Sequence, residues 1–230
     1  MSAGTIPSCP PETPGWALTP EGAVIHVASD TAIIADVHLG YEWSRAAQGD
    51  IIPQHSLTET LDKLTALVAH ATIRRLVVAG DLVENRQPCA RTARDVRGLV
   101  RWLRERAIEP VFLRGNHDPI RHPPLPSSMM LDGWTILHGD RALPDGPSIF
   151  GHHHPALKAG GLVAPCFLIG VRTIALPAFS PNAAGLDVST GPLPQPLRRE
   201  PLRCWAGLGG ELLDFGLIAG LAEKLAAKPN

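Results

Sequence analysis

Little in this chain of 230 residues suits a membrane, an oxidising compartment or nonspecific adhesion to a polyanion. No apolar run approaches the ~18 residues that a spanning helix needs, because charged residues, Pro or Gly interrupt every stretch. Cysteine is scarce: Cys9, Cys89, Cys166 and Cys204 lie far apart with no C-x-x-C pair. That spacing excludes a disulfide-stapled scaffold and leaves the thiols as small buried hydrophobes or idle groups. The opening MSAGTIPSCPPETPGW holds neither a basic leader nor an apolar stretch, so the expectation is a soluble protein of the reducing cytoplasm. Neither sign of charge is in excess: 21 Lys+Arg against 22 Asp+Glu give −1, so no global basic field exists to hold nucleic acid. Any such contact must be local. With 44% hydrophobic residues the chain can bury one sizeable core.

Residues 1 to 15, with four prolines, read as a flexible leader, and 16 to 230 as a single domain. AVIHVA (23 to 28) and TAIIAD (31 to 36) are β-branched runs around the turn-prone Ser29-Asp30, which predicts adjacent strands. From Pro53 to Ala71 the residues Leu57, Leu61, Leu64, Leu67 and Val68 recur at helical spacing. LVVAG (76 to 80) is a buried strand, a second helical pattern covers about 90 to 107 through Val96, Leu99, Val100 and Leu103, and PVFLRG (110 to 115) is again a strand. This alternation predicts a layered α/β arrangement. Beyond Pro119 short strand-like runs between Gly, Pro and Asp turns predict a mostly β half. A Pro-rich loop (190 to 201) leads to a C-terminal hairpin over 202 to 216 and a short helix within Leu217 to Lys228.

Chemistry concentrates in five segments, each behind an apolar β run: ADVHLG (35 to 40), AGDLVEN (79 to 85), RGNHDP (114 to 119), LHGD (137 to 140) and GHHHP (151 to 155). In an open α/β sheet, side chains just past the carboxyl ends of the strands converge on one crevice. Asp36, His38, Asp81, Asn116, His138 and two of His152, His153 and His154 would meet there. Carboxylate, imidazole and amide ligands suit borderline first-row ions, with Mn foremost and Fe or Zn as alternatives. Six or more ligands exceed the needs of one tetrahedral ion, so two divalent ions are expected. Such a pair, ~3.5 to 4 Å apart, can share a hydroxide and clamp both oxygens of a phosphoryl displacement. Asp81 is the candidate bridge. Residues i and i+2 of an extended segment point alike, which pairs Asp36 with His38 and selects His152 and His154. His153 then points away, to substrate or solvent.

The ordered blocks D-x-H, G-D, G-N-H-D, H-G-D and G-H-x-H resemble those of the calcineurin-like metallophosphoesterase superfamily, over residues 33 to 155. ADVHLGYE with IIPQ is similar to its small archaeal-type members, and G-H-x-H-P followed by CFLIG, LPAF and GLDV to its bacterial DNA-ligase-associated members. The resemblance implies a four-layer α/β/β/α sandwich of two β-sheets with a dinuclear metal centre. It also implies that Asp36, His38 and His154 bind one ion, that Asp81 bridges, and that Asn116, His138 and His152 bind the other. His117 would face the substrate and give a proton to the leaving oxygen, with Asp118 orienting it and Arg114 and His153 beside the substrate.

The expected activity is hydrolysis of phosphodiesters: a nucleotide, a cyclic nucleotide or short nucleic-acid ends. A nuclease acting on longer DNA and a noncatalytic metal-binding scaffold are the competing functions. Small phosphoesters or nucleotides are the expected partners, nucleic acid has weaker support, and no membrane contact is expected. His26, His55, His70 and His122 fit no block and read as surface or satisfied core residues. Arg94, Arg97, Arg101 and Arg104 fall within about 80° of one another on a helical wheel. The reading favoured for them is a solvated face partnered by Asp95 and Glu105, ahead of a phosphate-contact surface.

Overall fold

Strand residues here alternate between two apolar environments, and that alternation stacks two sheets. The computed structural model describes residues 11–119, 124–159, 161–190 and 192–226. The first half runs β1 (Trp16–Leu18), β2 (Val24–His26), β3 (Thr31–Ile34), α1 (Tyr41–Ala46), α2 (Ser56–His70), β4 (Arg75–Val78), α3 (Ala90–Glu105) and β5 (Glu109–Phe112). Its five strands form one sheet in sequence order, antiparallel from β1 to β3 and parallel from β3 to β5. The second half supplies β6 (Ser128–Leu131), β7 (Trp134–Leu137), β8 (Ser148–Phe150), β9 (Pro155–Ala159), β10 (Leu162–Ile169), β11 (Thr173–Ala175), β12 (Leu186–Asp187), β13 (Arg203–Leu208), β14 (Glu211–Leu217) and α4 (Leu221–Ala226). These strands make a nine-stranded sheet in the order β12-β9-β10-β11-β8-β7-β6, with the β13–β14 hairpin joined to β10.

Successive residues of β3 and β4 serve different layers, as a pleated strand buried on both faces requires. Ile33 and Val77 face the second sheet and meet Trp134, Ile136, Ile149, Phe167 and Ile174. Ile34, Leu76 and Val78 face Leu64 and Leu67 of α2 and Leu99 and Leu103 of α3. The two long helices thus cover the outer face of the first sheet. On the far side, Cys166, Leu168 and Cys204 pack against Leu197, Leu202 and Leu221. The fourth layer is therefore thin, made of a 3-10 turn at Gln195–Arg198 and the short α4. The Pro-rich loop is not simply an exposed spacer, because Leu197 is 1% exposed and anchors it in the core.

Several boundaries differ from expectation for local reasons. Helix α2 starts at Ser56 rather than Pro53, where the buried Ser56 Oγ accepts the N–H of Gly40 at 3.1 Å. The run 110 to 115 leaves the sheet after Phe112, turning Arg114 to Asp118 into the strand-end loops. The leader falls mostly on residues 1 to 10, outside those described, while Thr13 is buried and its carbonyl accepts the Trp16 N–H at 3.2 Å. Among the described residues no helix is long and apolar enough to cross a membrane.

Lys63 of α2 gives a pH-dependent prediction. Its ammonium donates to the Phe179 carbonyl at 2.8 Å and lies 4.1 Å from the Phe179 ring centroid. Burial pushes its pKa from 10.5 down to about 8, against the opposing charges of Glu21 and Glu59. A lowered folded-state value means the unfolded chain binds the proton more tightly, so stability rises as pH climbs from about 8 to 10.5. The expected gain is about 1–3 kcal/mol, or several degrees in Tm. Thermal melts of wild type and Lys63→Met across that window check it: the variant should lack this increment.

Candidate metal centre

The parallel strands β3, β4 and β5 end on one side of their sheet, and their exit loops continue to pair without strand geometry. Asp36 N–H donates to the Gly80 carbonyl at 3.2 Å, His38 N–H to the Asp81 carbonyl at 3.0 Å, and Leu39 N–H to the Leu82 carbonyl at 2.9 Å. The loops fold tightly because Asp36, His38, Asp81, His152 and His154 all adopt left-handed backbone, with φ of 57°, 50°, 51°, 68° and 48°. Such conformations cost of order 1 kcal/mol or more each outside glycine and cluster where structure serves a site. The extended-strand parity expected for Asp36/His38 and His152/His154 is therefore incorrect, since β3 ends at Ile34 and neither pair is extended. What aims them is alternating backbone handedness. Gly115 and Gly151 permit the close approach, because a Cβ at either would overlap the Asp81 or Asp36 carboxylate.

The result is a cluster of carboxylates and imidazoles drawn from segments remote in sequence. Ligand atoms of Asp36, His38 and His154 lie within 4.8 Å of one another, as do those of Asp36, Asp81 and His138, and those of His38, Asp81 and His117. His154 Nε2 is 3.1 Å from Asp36 Oδ1, and His138 Nε2 is 3.2 Å from Asp81 Oδ2. Asn116 and His152 join through His138: Asn116 Oδ1 lies 2.9 Å and His152 Nδ1 3.2 Å from His138 Nε2. Backbone donors hold the carboxylates in place, with His117 N–H on Asp81 Oδ1 at 2.8 Å and His152 N–H on Asp36 Oδ2 at 2.9 Å.

These donors fit divalent cations. Asp36 and Asp81 are 0% and 2% exposed, and buried carboxylates persist only when paired or coordinated. Asp36 Oδ1 and both ring nitrogens of His38 are buried without an aligned hydrogen bond, although Glu84 Oε2 approaches His38 Nδ1 to 2.9 Å. His138 Nδ1 lies 3.2 Å from the Ala79 carbonyl, a partner that accepts only an N–H and so leaves Nε2 free to serve as a ligand. The electrostatics point the same way. Burial, the largest single influence, pulls the His138 pKa down, but the Asp81 hydrogen bond and the charges of Asp36, Asp81 and Asp140 together raise it to about 9. Burial pushes the Asp81 carboxyl up, yet His138 and the His117 N–H together hold it below its ordinary value. The cluster stabilises positive charge at its centre.

Not every predicted role survives. Asp118 was expected to orient the His117 imidazole; instead its buried carboxylate accepts N–H groups of Asp81 (3.0 Å), Val83 (3.3 Å) and Gly115 (2.8 Å), lacing two loops together. Burial, and behind it the charge of Asp81, raises its pKa despite those bonds. His117 is held by another group, with Nδ1 2.6 Å from the Glu84 carbonyl oxygen, which requires the proton on Nδ1 and frees Nε2. His153, expected beside substrate, packs edge-on against Phe150 and beside His152, at ring-centroid distances of 6.1 and 5.1 Å. Its Nε2 is buried, and burial followed by the charge of His152 lowers its pKa to about 4. Arg114 lines a cavity of about 320 Å³ with Ser127, Ser128, His138 and Arg141. A second cavity, of about 200 Å³, is bounded by His38, Tyr41, Glu84, His117, His154 and Asn182.

Glu84 is the residue that sequence reasoning missed. It sits inside the AGDLVEN segment, and its being a carboxylate one residue beyond the buried Val83 was the available signal. Of the histidines outside the segments, His26 bonds Ser29 Oγ at 2.8 Å and His70 pairs with Glu21 at 3.0 Å, both structural, while His122 lies outside the described residues.

Neither a protein-family profile nor a curated protein sequence gives a match to the chain. Among solved structures it is similar to the Pseudomonas putida nuclease MPE, with a TM-score of 0.65 and 24% identity over 86% of this chain and 94% of that one. At that identity the likeness speaks to the fold: two multi-stranded sheets flanked by helices.

Proposed function

We propose that this chain is a metal-dependent hydrolase of phosphodiesters that uses two divalent cations, manganese foremost. The observation that carries this reading is the convergence of buried Asp36, His38, Asp81 and His138 with half-buried His154, from segments as distant as residues 36 and 154, on ligand-atom separations of 4.8 Å or less within each group. In this reading Asp36, His38 and His154 would hold one ion and Asn116, His138 and His152 the other, with Asp81 available to both. Bound cations would polarise the phosphoryl group and supply a nucleophile from water at neutral pH.

The chain's own residues do the rest. His117, whose Nε2 is left free by the Nδ1 contact with the Glu84 carbonyl, lines the 200 Å³ cavity and would hold the proton destined for the leaving oxygen on Nε2. Arg114 and Arg141, in the neighbouring 320 Å³ cavity that His138 also lines, would bind non-bridging phosphate oxygens. Asp118 keeps the loops of Asp81 and Asn116 in register. The nuclease neighbour makes a nucleic-acid phosphodiester a leading alternative to a small nucleotide substrate.

Assay of Mn-loaded protein against bis-p-nitrophenyl phosphate, p-nitrophenyl phosphate and labelled single-stranded DNA tests the proposal. The diester should be cleaved faster than the monoester. Activity on none of the three, with metal demonstrably bound, would favour a noncatalytic scaffold.

A further inference from the structure

Positive charge in this nearly neutral chain is segregated. Seven arginines, Arg86, Arg91, Arg94, Arg97, Arg101, Arg104 and Arg106, stand in residues 86 to 106 against two acids, Asp95 and Glu105. Both acids were expected to partner the stripe. Asp95 instead turns to α1, where it accepts the Trp43 Nε1–H at 2.8 Å. Among the described residues the arginines in ion pairs are Arg45, Arg74, Arg75, Arg141 and Arg203, none of them on α3. Arg94, Arg97, Arg101 and Arg104 are all exposed.

Topology ties this stripe to the centre. Helix α3 links β4 to its parallel neighbour β5, so it leaves from the strand ends that carry the metal cluster and runs back along the sheet. At its start Arg91 lies over the Trp43 ring, 4.9 Å from the centroid, and Arg86 just before it donates to the Asn116 carbonyl. From Arg91 to Arg104 the arginines extend ~20 Å at a rise of ~1.5 Å per residue. A nucleic-acid strand carries a phosphate every ~3.4 Å of its axis, so the ridge spans about four to six phosphates.

We infer that the α3 arginine ridge is a binding surface for the backbone of a nucleic-acid strand whose scissile phosphate enters the metal centre. This rests on the phosphodiesterase reading for the cleavage step, but the binding it describes does not require turnover. Ordinary solvation of a helix face accounts for exposed charge; it does not account for four same-sign charges, Arg94, Arg97, Arg101 and Arg104, on one face of the helix with none of them in an ion pair among the described residues.

The test is fluorescence anisotropy of a labelled 30-nucleotide oligothymidylate with the full chain, EDTA preventing cleavage. The Arg94→Gln/Arg97→Gln/Arg101→Gln/Arg104→Gln variant should bind about tenfold more weakly or worse near 0.1 M salt, with the slope of log K against log salt shallower by about 2–3. The corresponding Arg→Lys variant should bind within about threefold of wild type, and both should cleave bis-p-nitrophenyl phosphate as wild type does. Unchanged oligonucleotide affinity in the Gln variant would overturn the inference. So would equal loss in the Lys variant, or a Gln variant that loses phosphatidylserine vesicles but keeps the strand. Stripe-dependent binding by a protein inactive on every phosphodiester would leave the ridge standing and remove the catalytic reading instead.

Discussion

Asp81→Asn is expected to strip the protein of bound metal and lower phosphodiester turnover by about 10³-fold or more. Asp81 is shared by two of the three ligand groups and is buried, so no water can replace its charge. Its carboxyl titrates below the ordinary range because His138 and the His117 N–H favour the anion over the penalty of burial. Asparagine tolerates the left-handed backbone at φ 51° and keeps an oxygen for the His117 N–H, so the change removes charge with little change of shape. Metal content by mass spectrometry beside turnover separates the outcomes. Full retention of two ions by the variant would contradict a bridging role.

His117→Ala should do the reverse, keeping metal while turnover falls by about 10²–10⁴-fold. The substitution leaves the backbone N–H that supports Asp81 and removes only the ring that borders the open cavity. Because the proposed role is protonation of the leaving oxygen, diesters with good leaving groups should suffer least. Loss of metal in step with activity would place His117 among the ligands, as its proximity to His38 and Asp81 allows.

The residues that meet at the centre were legible because each block couples a buried β run to a polar strand end, and parallel strands force such ends together. The alternation of β3, α2, β4, α3 and β5 was legible for the same reason: Leu64, Leu67, Leu99 and Leu103 repeat at helical spacing between apolar strands. What could not be read was local geometry. Left-handed backbone at Asp36 and His38 has only a weak signature in residue type, since aspartate and histidine are enriched there but adopt ordinary turns far more often. Helix α1 is six residues long, too short to show a period, and its place depends on Trp43 reaching Asp95 across 52 positions. The anchoring of the Pro-rich loop depends on isolated side chains, Leu197 in the core and Leu193 against it, which show no period. The contacts of Asp118 were hidden for a related reason: proximity in sequence to a ligand says nothing about which backbone groups lie on the other side of the fold.

Anomalous diffraction from a crystal grown with manganese tests the central claim most directly. The account predicts two peaks per chain, one contacting Asp36, His38 and His154, the other Asn116, His138 and His152, with the Asp81 carboxylate touching both. A crystal with no peak inside this cluster, or with manganese bound only elsewhere on the chain, would contradict it.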